Sequence, residues 1–208
     1  MLKLSPMADI IMLRNRLSET QSGYNLLSTG IIGLKGEVKE ILLLLGRETK
    51  EEQFYIVNCE SPESLMSIPT KMPVPQFVAD SDLSGFRYLL EPDALLLKTG
   101  AHTMANAFKL SPDCHIYLSD ELMQGAIAQH FKIFEILELR PFDKNSIKLF
   151  GTKYSGAAVT AKALPLSSEE LAKRLKINKT NSVNIHMFGV STSQNRYLIA
   201  CRKVSACD

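Results

Sequence analysis

The sequence predicts an α+β fold built from more than one domain. Short runs of aliphatic and β-branched residues, typical of strands, alternate along the chain with amphipathic stretches that are typical of helices. Residues 59–84 contain four prolines and no hydrophobic period, so we interpret them as a connector between domains. The 208 residues can form one large or two small domains, and a hydrophobic fraction of 45% is sufficient for a buried core.

The N-terminal segment begins with a very short apolar strand, Leu2–Leu4, and continues into a helix whose apolar positions begin at Met7. Three more strands are predicted at residues 28–34, 40–45 and 54–58. Gly36 turns the first of these strands into the second. A strand of three residues is stable only between neighbouring strands, so this segment resembles the closing part of a larger sheet.

The middle segment predicts the order β-α-β-(α)-β, which is typical of ferredoxin-like or related α+β layers. Its strands are predicted at residues 88–90, 115–118 and 131–139. The first helix opens at Glu91-Pro92-Asp93, with proline in the first helical position, and runs to about Phe108. Residues 119–122 are predicted to cap a second, short helix.

The C-terminal segment contains the best-defined element of the chain, a helix that starts at Ser168. Ser167 can cap this helix, and Glu170 can reach back to the Ser167 amide. Leu166 and Leu171 can form a hydrophobic staple across the cap. Strands are predicted on both sides of the helix, at residues 146–150, 157–163, 182–189 and 196–204.

The positive charge of the chain is concentrated at its C-terminal end. Residues 141–208 contain 11 Lys and Arg against 4 acids, whereas the whole chain has a net charge of only +2. Such an asymmetry favours a polyanion as the partner of this segment. The alternative is an ordinary solvated surface, as in many small basic domains.

Two sets of cations are distinguished by their local acids. Lys173 and Arg174 follow Glu169 and Glu170 by four residues, so they are predicted to be partly neutralised. Five other cations have no acid at helical spacing. We therefore predict that nucleic acid is bound by Lys162, Lys176, Lys179, Arg202 and Lys203.

No residue set has the spacing of a catalytic or metal site. The loop 151–156 lacks the G-K-[ST] ending of a phosphate-binding loop, and we interpret it as a turn between strands. Cys114 and His115 are adjacent, so their side chains point to opposite faces of an extended strand. Helix capping accounts for Glu91 and Asp93 more simply than a carboxylate pair does. We predict no catalytic residue and no metal ligand.

The remaining composition favours a soluble cytoplasmic protein. The longest uncharged apolar run, residues 41–45, is far shorter than the roughly 20 residues that span a bilayer, and no signal-peptide pattern opens the chain. The four cysteines include no close C-x-x-C pair, and the four histidines include no H-x₃-H spacing. Neither zinc nor a structural disulfide is therefore expected.

Five phrases occur in the chain in a fixed order: KLSPMADI (3–10), IIGLKGEVKEILLLL (31–45), YLLEPDALLLKTGA (88–101), HIYLSDEL (115–122) and ALPLSSEELAKRLKI (163–177). Together they resemble a family of bacterial class I S-adenosylmethionine-dependent methyltransferase-like proteins. That family carries a ferredoxin-like middle domain and a THUMP-like C-terminal domain. The resemblance covers nearly the whole chain.

The resemblance implies a division of the chain into parts. Residues 1–58 correspond to the C-terminal remnant of a Rossmann-like methyltransferase sheet, and residues 59–84 to a connector. Residues 85–140 correspond to the ferredoxin-like domain, and residues 141–208 to the THUMP-like domain.

The chain departs from the family in the half that holds S-adenosylmethionine. It has no glycine-rich loop after a first strand, no acid for the ribose and no Asp-Pro or Asn-Pro motif for the methyl acceptor. We therefore expect no cofactor in this chain, although S-adenosylmethionine serves the full-length family, and no methyl transfer by this chain alone. A chain cut inside a longer parent protein would produce this pattern.

The leading hypothesis from the sequence is a substrate-recognition portion that binds structured RNA, either tRNA or rRNA. Such modules in RNA-modifying enzymes recognise shape and backbone charge, according to the resemblance. The alternative is a non-catalytic interaction module, docking through the open sheet edge at Leu2–Leu4 on a separate methyltransferase half or pairing through residues 1–58 as a homodimer. A third reading is an enzyme of unrecognised type.

Overall fold

The computed structural model describes residues 1–19, 23–60, 65–177 and 184–204. The chain forms two compact units, each assembled from three segments. The first, here the N-terminal unit, comprises Met1–Val74, Pro92–Ala105 and Gln124–His130. The second, here the C-terminal unit, comprises Pro75–Glu91, Asn106–Met123 and Phe131–Asp208. Sheets with few helices confirm the predicted α+β class, and the ferredoxin-like middle domain stays a prediction.

The N-terminal unit contains a five-stranded sheet with the order β1-β3-β2-β4-β5. Strands β2 and β4 are parallel, and the other neighbours are antiparallel. Its strands are β1 (Leu2–Leu4), β2 (Asn25–Leu34), β3 (Glu37–Gly46), β4 (Gln53–Asn58) and β5 (Leu65–Ile68), and helix α1 is Ile10–Glu19. Lys35 and Gly36 both have positive φ, at 55° and 71°, as a tight hairpin turn requires. The predicted turn at Gly36 is confirmed.

One face of this sheet supplies the core of the N-terminal unit. Ile31, Ile41 and Ile56 are completely buried, and the side chains that alternate with them point to the opposite face. Helix α2 (Ala94–Thr99) contacts β2 and β3, and the side chain of Leu95 fills the space beside Gly33. Strand β5 lies in the segment interpreted as a connector, so that part of the interpretation is wrong. Met66 and Ile68 alternate with exposed neighbours, but four prolines obscure the pattern.

The C-terminal unit contains an eight-stranded mixed sheet with the order β11-β12-β13-β10-β7-β9-β8-β6. Its strands are β6 (Gln76–Phe77), β7 (Tyr88–Pro92), β8 (Phe108–Ser111), β9 (Cys114–Ser119), β10 (Phe131–Pro141), β11 (Ala158–Lys162), β12 (Ile185–Ser191) and β13 (Arg196–Lys203). Helices α3 (Lys144–Lys153) and α4 (Ser168–Leu175) follow β10 and β11. The sheet curls so that β11 contacts β9.

The two faces of this sheet bury separate clusters. Phe134, Phe188 and Ile199 belong to the cluster on one face. Helices α3 and α4 cover the other face, where Phe150 and Leu171 pack with strand residues such as Leu198. The alternation of side chains along β12 and β13 produces this separation.

The first element of the basic C-terminal segment, residues 141–208, was predicted incorrectly. Residues 146–150, expected as a strand, lie inside α3, because Asp143 caps the helix and accepts a hydrogen bond from the Ser146 amide at 2.7 Å. Gly151 also lies inside α3, so the loop 151–156 is the end of a helix and not a turn between strands. A short apolar run is compatible with the period of a helix and with that of a strand, and here the cap at Asp143 favours the helix.

Two details of the middle segment also differ from the prediction. Pro92 ends β7 and Asp93 caps α2, so proline does not occupy the first helical position. Helix α2 ends at Thr99, because Gly100 adopts a left-handed conformation with φ of 76°. Residues 119–122 form no α-helix; the Ser119 hydroxyl instead closes a turn by donating to the Glu121 carbonyl.

Candidate nucleic-acid interface

Helix α4 presents its basic residues because its cap and its buried stripe fix its orientation. Ser167 Oγ accepts from the Glu170 amide at 3.1 Å, and Glu170 Oε2 accepts from the Ser167 amide at 2.7 Å. This is the predicted capping box. Leu171 and Leu175 are buried in the core beneath the helix. The exposed side is therefore left to Lys173, Arg174 and Lys176, here called the basic helix surface.

The predicted i, i+4 contacts do not close into ion pairs among the described residues, although Glu170 still interacts electrostatically with Arg174 and Lys173. Glu170 directs its carboxylate to the Ser167 amide, and this hydrogen bond lowers the pKa of Glu170 more than the charges of Arg174 and Lys173 do. Within the ranges that the structure describes, no ion pair joins an acid to Lys173 or Arg174. The helix cations are thus more available than their spacing suggested.

Lys162, in contrast, has an acid partner that the sequence did not reveal. Its Nζ lies 2.8 Å from Oε1 of Glu91, and Lys132 Nζ lies 3.5 Å from the other oxygen of the same carboxylate. Burial alone would raise the pKa of Glu91, but the hydrogen bond from Lys162 and the two positive charges outweigh it, so the pKa is lowered. Glu91 therefore pairs with Lys162 rather than capping α2, and the partner of Lys162 is distant in the sequence and not local.

Arg202 also has a partner, on the neighbouring strand. Arg202 is opposite Glu135 in the register of β10 and β13, and its Nη1 lies 3.5 Å from Glu135 Oε2. Lys203 is exposed, and no ion pair within the described ranges includes it. Lys179 lies outside the described residues.

Two of the predicted cations, Lys162 and Arg202, do not converge on one point. Lys162 on β11 pairs with Val190 near the end of β12, and Val190 in turn pairs with Tyr197 on β13. Arg202 on β13 pairs with Ile185, which is at the start of β12. Five residues of β13 separate these ends, a distance of about 16 Å at the usual rise per strand residue. Lys162 and Arg202 therefore belong to different parts of the surface.

A second ion-pair cluster, centred on Glu138, neutralises the charges of Arg140 and Lys153. Glu138 accepts from Lys153 Nζ at 2.7 Å, from Arg140 Nε at 2.7 Å and from the Tyr154 hydroxyl at 3.2 Å. The bonds from Lys153 and Arg140 lower the pKa of Glu138 from 4.5 to about 2. These two cations are consequently poor candidates for phosphate contacts.

The Glu138 cluster predicts a pH dependence of stability. Because the pKa of Glu138 is depressed in the folded state, its contribution is present above about pH 4.5 and is lost as the pH falls towards 2. We expect Glu138→Gln to flatten this part of the acid unfolding profile, measured by circular dichroism. Lys153→Gln removes the first of the donors and should give an intermediate profile. An unchanged profile in both variants would show that the cluster does not couple to folding.

A pocket of about 540 Å³ lies near the start of α3, beside the turn that joins β12 to β13. Nothing in the sequence analysis anticipated it, because two separate segments form it. It is lined by Pro141, Phe142, Gln194, Asn195, Arg196 and Tyr197. Within the described ranges no ion pair includes Arg196, in contrast to Lys162, Lys153 and Arg202.

The buried cysteines Cys114 and Cys201 are part of a core cluster of the C-terminal unit. Among the described residues, no three His, Cys, Asp or Glu side chains are placed to hold a metal ion. Burial raises the pKa of Cys114 to about 11 and raises the pKa of Cys201, so both thiols stay protonated near neutral pH. Cys114 is buried and His115 is exposed, as adjacent residues on a strand should be.

The N-terminal unit contains one Asp-His pair that the sequence analysis missed. Asp93 Oδ1 accepts from the Leu96 amide at 2.9 Å, which is the predicted capping role, and Asp93 Oδ2 lies 2.8 Å from His130 Nδ1. The His130 side chain is fully buried, and its Nε2 has no hydrogen-bond partner among the described residues. The two residues are far apart in the sequence, so no local signal links them.

Residues 131–205 match the family model described as THUMP domain-like. This confirms the THUMP-like resemblance for the part of the chain that contains β10 to β13, α3 and α4. No sequence among the curated proteins matches the chain.

The fold is similar to that in a crystal structure of a proposed methyltransferase from Porphyromonas gingivalis W83, with a TM-score of 0.68 and 23% sequence identity. The similarity covers 98% of this chain and 50% of that chain, so this chain spans about half the length of that protein. No helix among the described residues is long and apolar enough to cross a bilayer.

Proposed function

We propose that the C-terminal unit binds structured RNA, and that the chain is the substrate-recognition portion of a methyltransferase-like protein. In this proposal residues 141–208 are the THUMP-like RNA-binding part, and tRNA or rRNA is the substrate. The match of residues 131–205 to the THUMP domain-like model supports the RNA-binding part, and the fold similarity to a proposed methyltransferase supports the enzyme context. S-adenosylmethionine is the cofactor of the whole protein in this proposal and is not held by this chain.

The observation that carries the proposal is the basic helix surface. Lys173 and Arg174 are exposed on α4 and Lys176 is exposed at its C-cap, and no acid within the described ranges forms an ion pair with them. Unpaired Lys and Arg side chains contact phosphates without first breaking an ion pair, and such contacts supply most of the affinity in shape-based RNA recognition.

The other predicted cations contribute to different degrees in this proposal. Lys203, which is exposed at the end of β13, is kept as a phosphate contact, and Lys179 is kept from the sequence alone. Lys162 and Arg202 contribute less, because a phosphate must compete with Glu91 and Glu135 for them.

Removal of the basic helix surface is expected to weaken RNA binding at every sequence tested. For the variant Lys173→Gln, Arg174→Gln, Lys176→Gln, we expect affinity for a tRNA mixture to fall about tenfold or more at low salt. The slope of log affinity against log salt should decrease by about 2 to 3, because each lost phosphate contact removes somewhat less than one unit. Titration by fluorescence anisotropy at several salt concentrations measures both quantities.

The matched control removes three positive charges from the N-terminal unit instead of from the basic helix surface. Lys39, Lys50 and Lys71 are exposed in the N-terminal unit, and Lys39 and Lys50 take part only in surface ion pairs, with Glu37 and Glu48. Their triple Gln variant should bind RNA almost as the unchanged protein does. Equal losses in both triple variants would mean that net charge, and not the helix surface, drives binding. Absence of binding by the unchanged protein would contradict the proposal itself.

A separate observation favours the alternative, an interaction module. Strand β1 is the edge of the five-stranded sheet, and Leu2, Met7, Ile11 and Met12 are exposed close to it in the sequence. Unpaired edges with apolar side chains are surfaces on which another strand can add. Docking on a second copy or on a separate methyltransferase half becomes the better explanation if the unchanged protein binds no RNA.

A further inference from the structure

The pocket at the β12–β13 turn, here called the turn pocket, combines two aromatic walls with polar groups at its rim. Phe142 and Tyr197 both line it, and each is partly buried and packs against a core cluster. Aromatic rings anchored in this way offer a face on which a flat ring can stack. The pocket is open to solvent and has a volume of about 540 Å³.

The turn that forms one wall is held in a single shape. Thr192 Oγ1 accepts from the amides of Gln194 and Asn195, at 3.2 and 2.9 Å. The Thr192 hydroxyl and amide both donate to the Asn195 carbonyl. The opposite wall is attached to the same turn, because the Phe142 amide donates to the Arg196 carbonyl at 2.9 Å. A wall fixed before binding loses little entropy when a ligand enters.

Asp80 holds two of the lining residues, Asn195 and Tyr197, in place by hydrogen bonds. The Tyr197 hydroxyl donates to Asp80 Oδ2 at 2.9 Å, and Asn195 Nδ2 donates to the same oxygen at 2.8 Å. These bonds outweigh the effect of burial and keep the pKa of Asp80 below its usual value, so the carboxylate is ionised. A fixed negative charge beside the pocket disfavours a phosphate group as its occupant.

The polar groups that remain can recognise the edge of a base. The side chains of Gln194 and Arg196 form no hydrogen bond with another described residue, and the Asn195 side chain uses only its nitrogen, Nδ2. Together they offer both donors and acceptors next to the aromatic walls. Unpaired RNA bases are recognised by this combination of stacking and hydrogen bonds to their exposed edges.

We infer that the turn pocket binds one unpaired base of the RNA, stacked against Phe142 and bonded at its edge by Gln194 and Arg196. This inference rests on the proposed RNA-binding function and adds a single-stranded element to the substrate. The substrate is then a stem with an adjoining unpaired segment, because the basic helix surface contacts the phosphates of the stem.

The test compares two RNA probes on the full chain. One is a blunt 12-base-pair stem, and the other is the same stem with a four-nucleotide 3′ overhang that contains one 2-aminopurine. The unchanged protein should bind the overhang probe about fivefold or more tightly than the blunt stem, since stacking of one base on an aromatic ring has an effect of this size or larger. Binding should also quench the 2-aminopurine fluorescence.

Two variants and a matched control assign the effect to the pocket. Phe142→Leu keeps an apolar side chain towards the core but removes the aromatic face, and Arg196→Gln removes an exposed cation. Both should lose the preference for the overhang and the quenching while they bind the blunt stem as before. Lys144→Gln removes an equal charge from α3 outside the pocket and should keep the preference.

The outcomes separate the two proposals. Equal binding of both probes by the unchanged protein, or a preference that survives in Phe142→Leu and Arg196→Gln, overturns the base-binding inference and leaves RNA binding intact. Absence of binding to either probe overturns both proposals.

Discussion

Replacing Gly151 by alanine is expected to destabilise the C-terminal unit by about 3 kcal/mol or more. Gly151 lies in α3, where it faces the end of α4. A methyl group at this position would lie 3.0 Å from the carbonyl carbon of Leu175 and would overlap the carbonyl oxygen. These are backbone atoms at the C-terminal end of α4, so no side-chain rotation relieves the overlap.

The expected loss of stability in Gly151→Ala is opposite in sign to the intrinsic helix propensities of glycine and alanine. Alanine in a helix interior is normally about 1 kcal/mol more favourable than glycine. A large loss of stability therefore reports the close approach of the two helices and nothing else. The relevant measurements are urea unfolding and hydrogen exchange of peptides from α3 and α4.

Gly85 provides a matched control for the same substitution. It lies in the C-terminal unit, and an added methyl group there meets no atom within 4 Å. Gly85→Ala should leave the free energy of unfolding within about 0.5 kcal/mol of its original value. If the two alanine variants are equally stable, α3 and α4 do not cross as closely as the structure places them.

Structural features that depend only on residues close together in the chain could be predicted from the sequence. The start of α4 follows from Ser167 and Glu170, whose capping bonds involve only neighbouring residues. The hairpin at Gly36 depends on a local backbone requirement in the same way. Helix α3 shows the limit of local reasoning, because the run 146–150 suits a strand and only the cap at Asp143 identifies a helix.

The candidate site depended on partners that lie far apart in the sequence. Lys162 was selected for its lack of a nearby acid, but the curled sheet brings Glu91 to within 2.8 Å of it. The pairing of Arg174 with Glu170 was overestimated, because i, i+4 spacing indicates where a pair can form and not whether the acid has a better partner, here the Ser167 amide. The turn pocket combines Phe142 with residues of the β12–β13 turn, so no single segment contains its signal.

Removing the Asp93 carboxylate is expected to destabilise the N-terminal unit by about 2–4 kcal/mol. Asp93→Ala deletes the cap of α2, which typically contributes about 1 kcal/mol. It also leaves His130 Nδ1 without an acceptor in a fully buried position, and an unsatisfied buried group costs about 1–3 kcal/mol more. Both effects act on the same unit, since Asp93 and His130 belong to it.

Asp93→Asn separates the two contributions. Asparagine is as good a helix cap as aspartate, so its oxygen can keep the bond to the Leu96 amide. Its amide group, however, donates where the carboxylate accepted, so His130 must move its proton to Nε2, which has no acceptor among the described residues. We expect Asp93→Asn to cost less than Asp93→Ala but to remain destabilising.

His130→Phe completes the comparison, because phenylalanine fills a similar volume and has no nitrogen to satisfy. In the His130→Phe background, Asp93→Asn should lose most of its cost, since the cap is kept and no buried imidazole remains. Chemical unfolding of the four proteins gives the coupling between the two positions. If Asp93→Asn costs the same with and without the imidazole, the 2.8 Å contact contributes nothing to stability and Asp93 acts only as a cap.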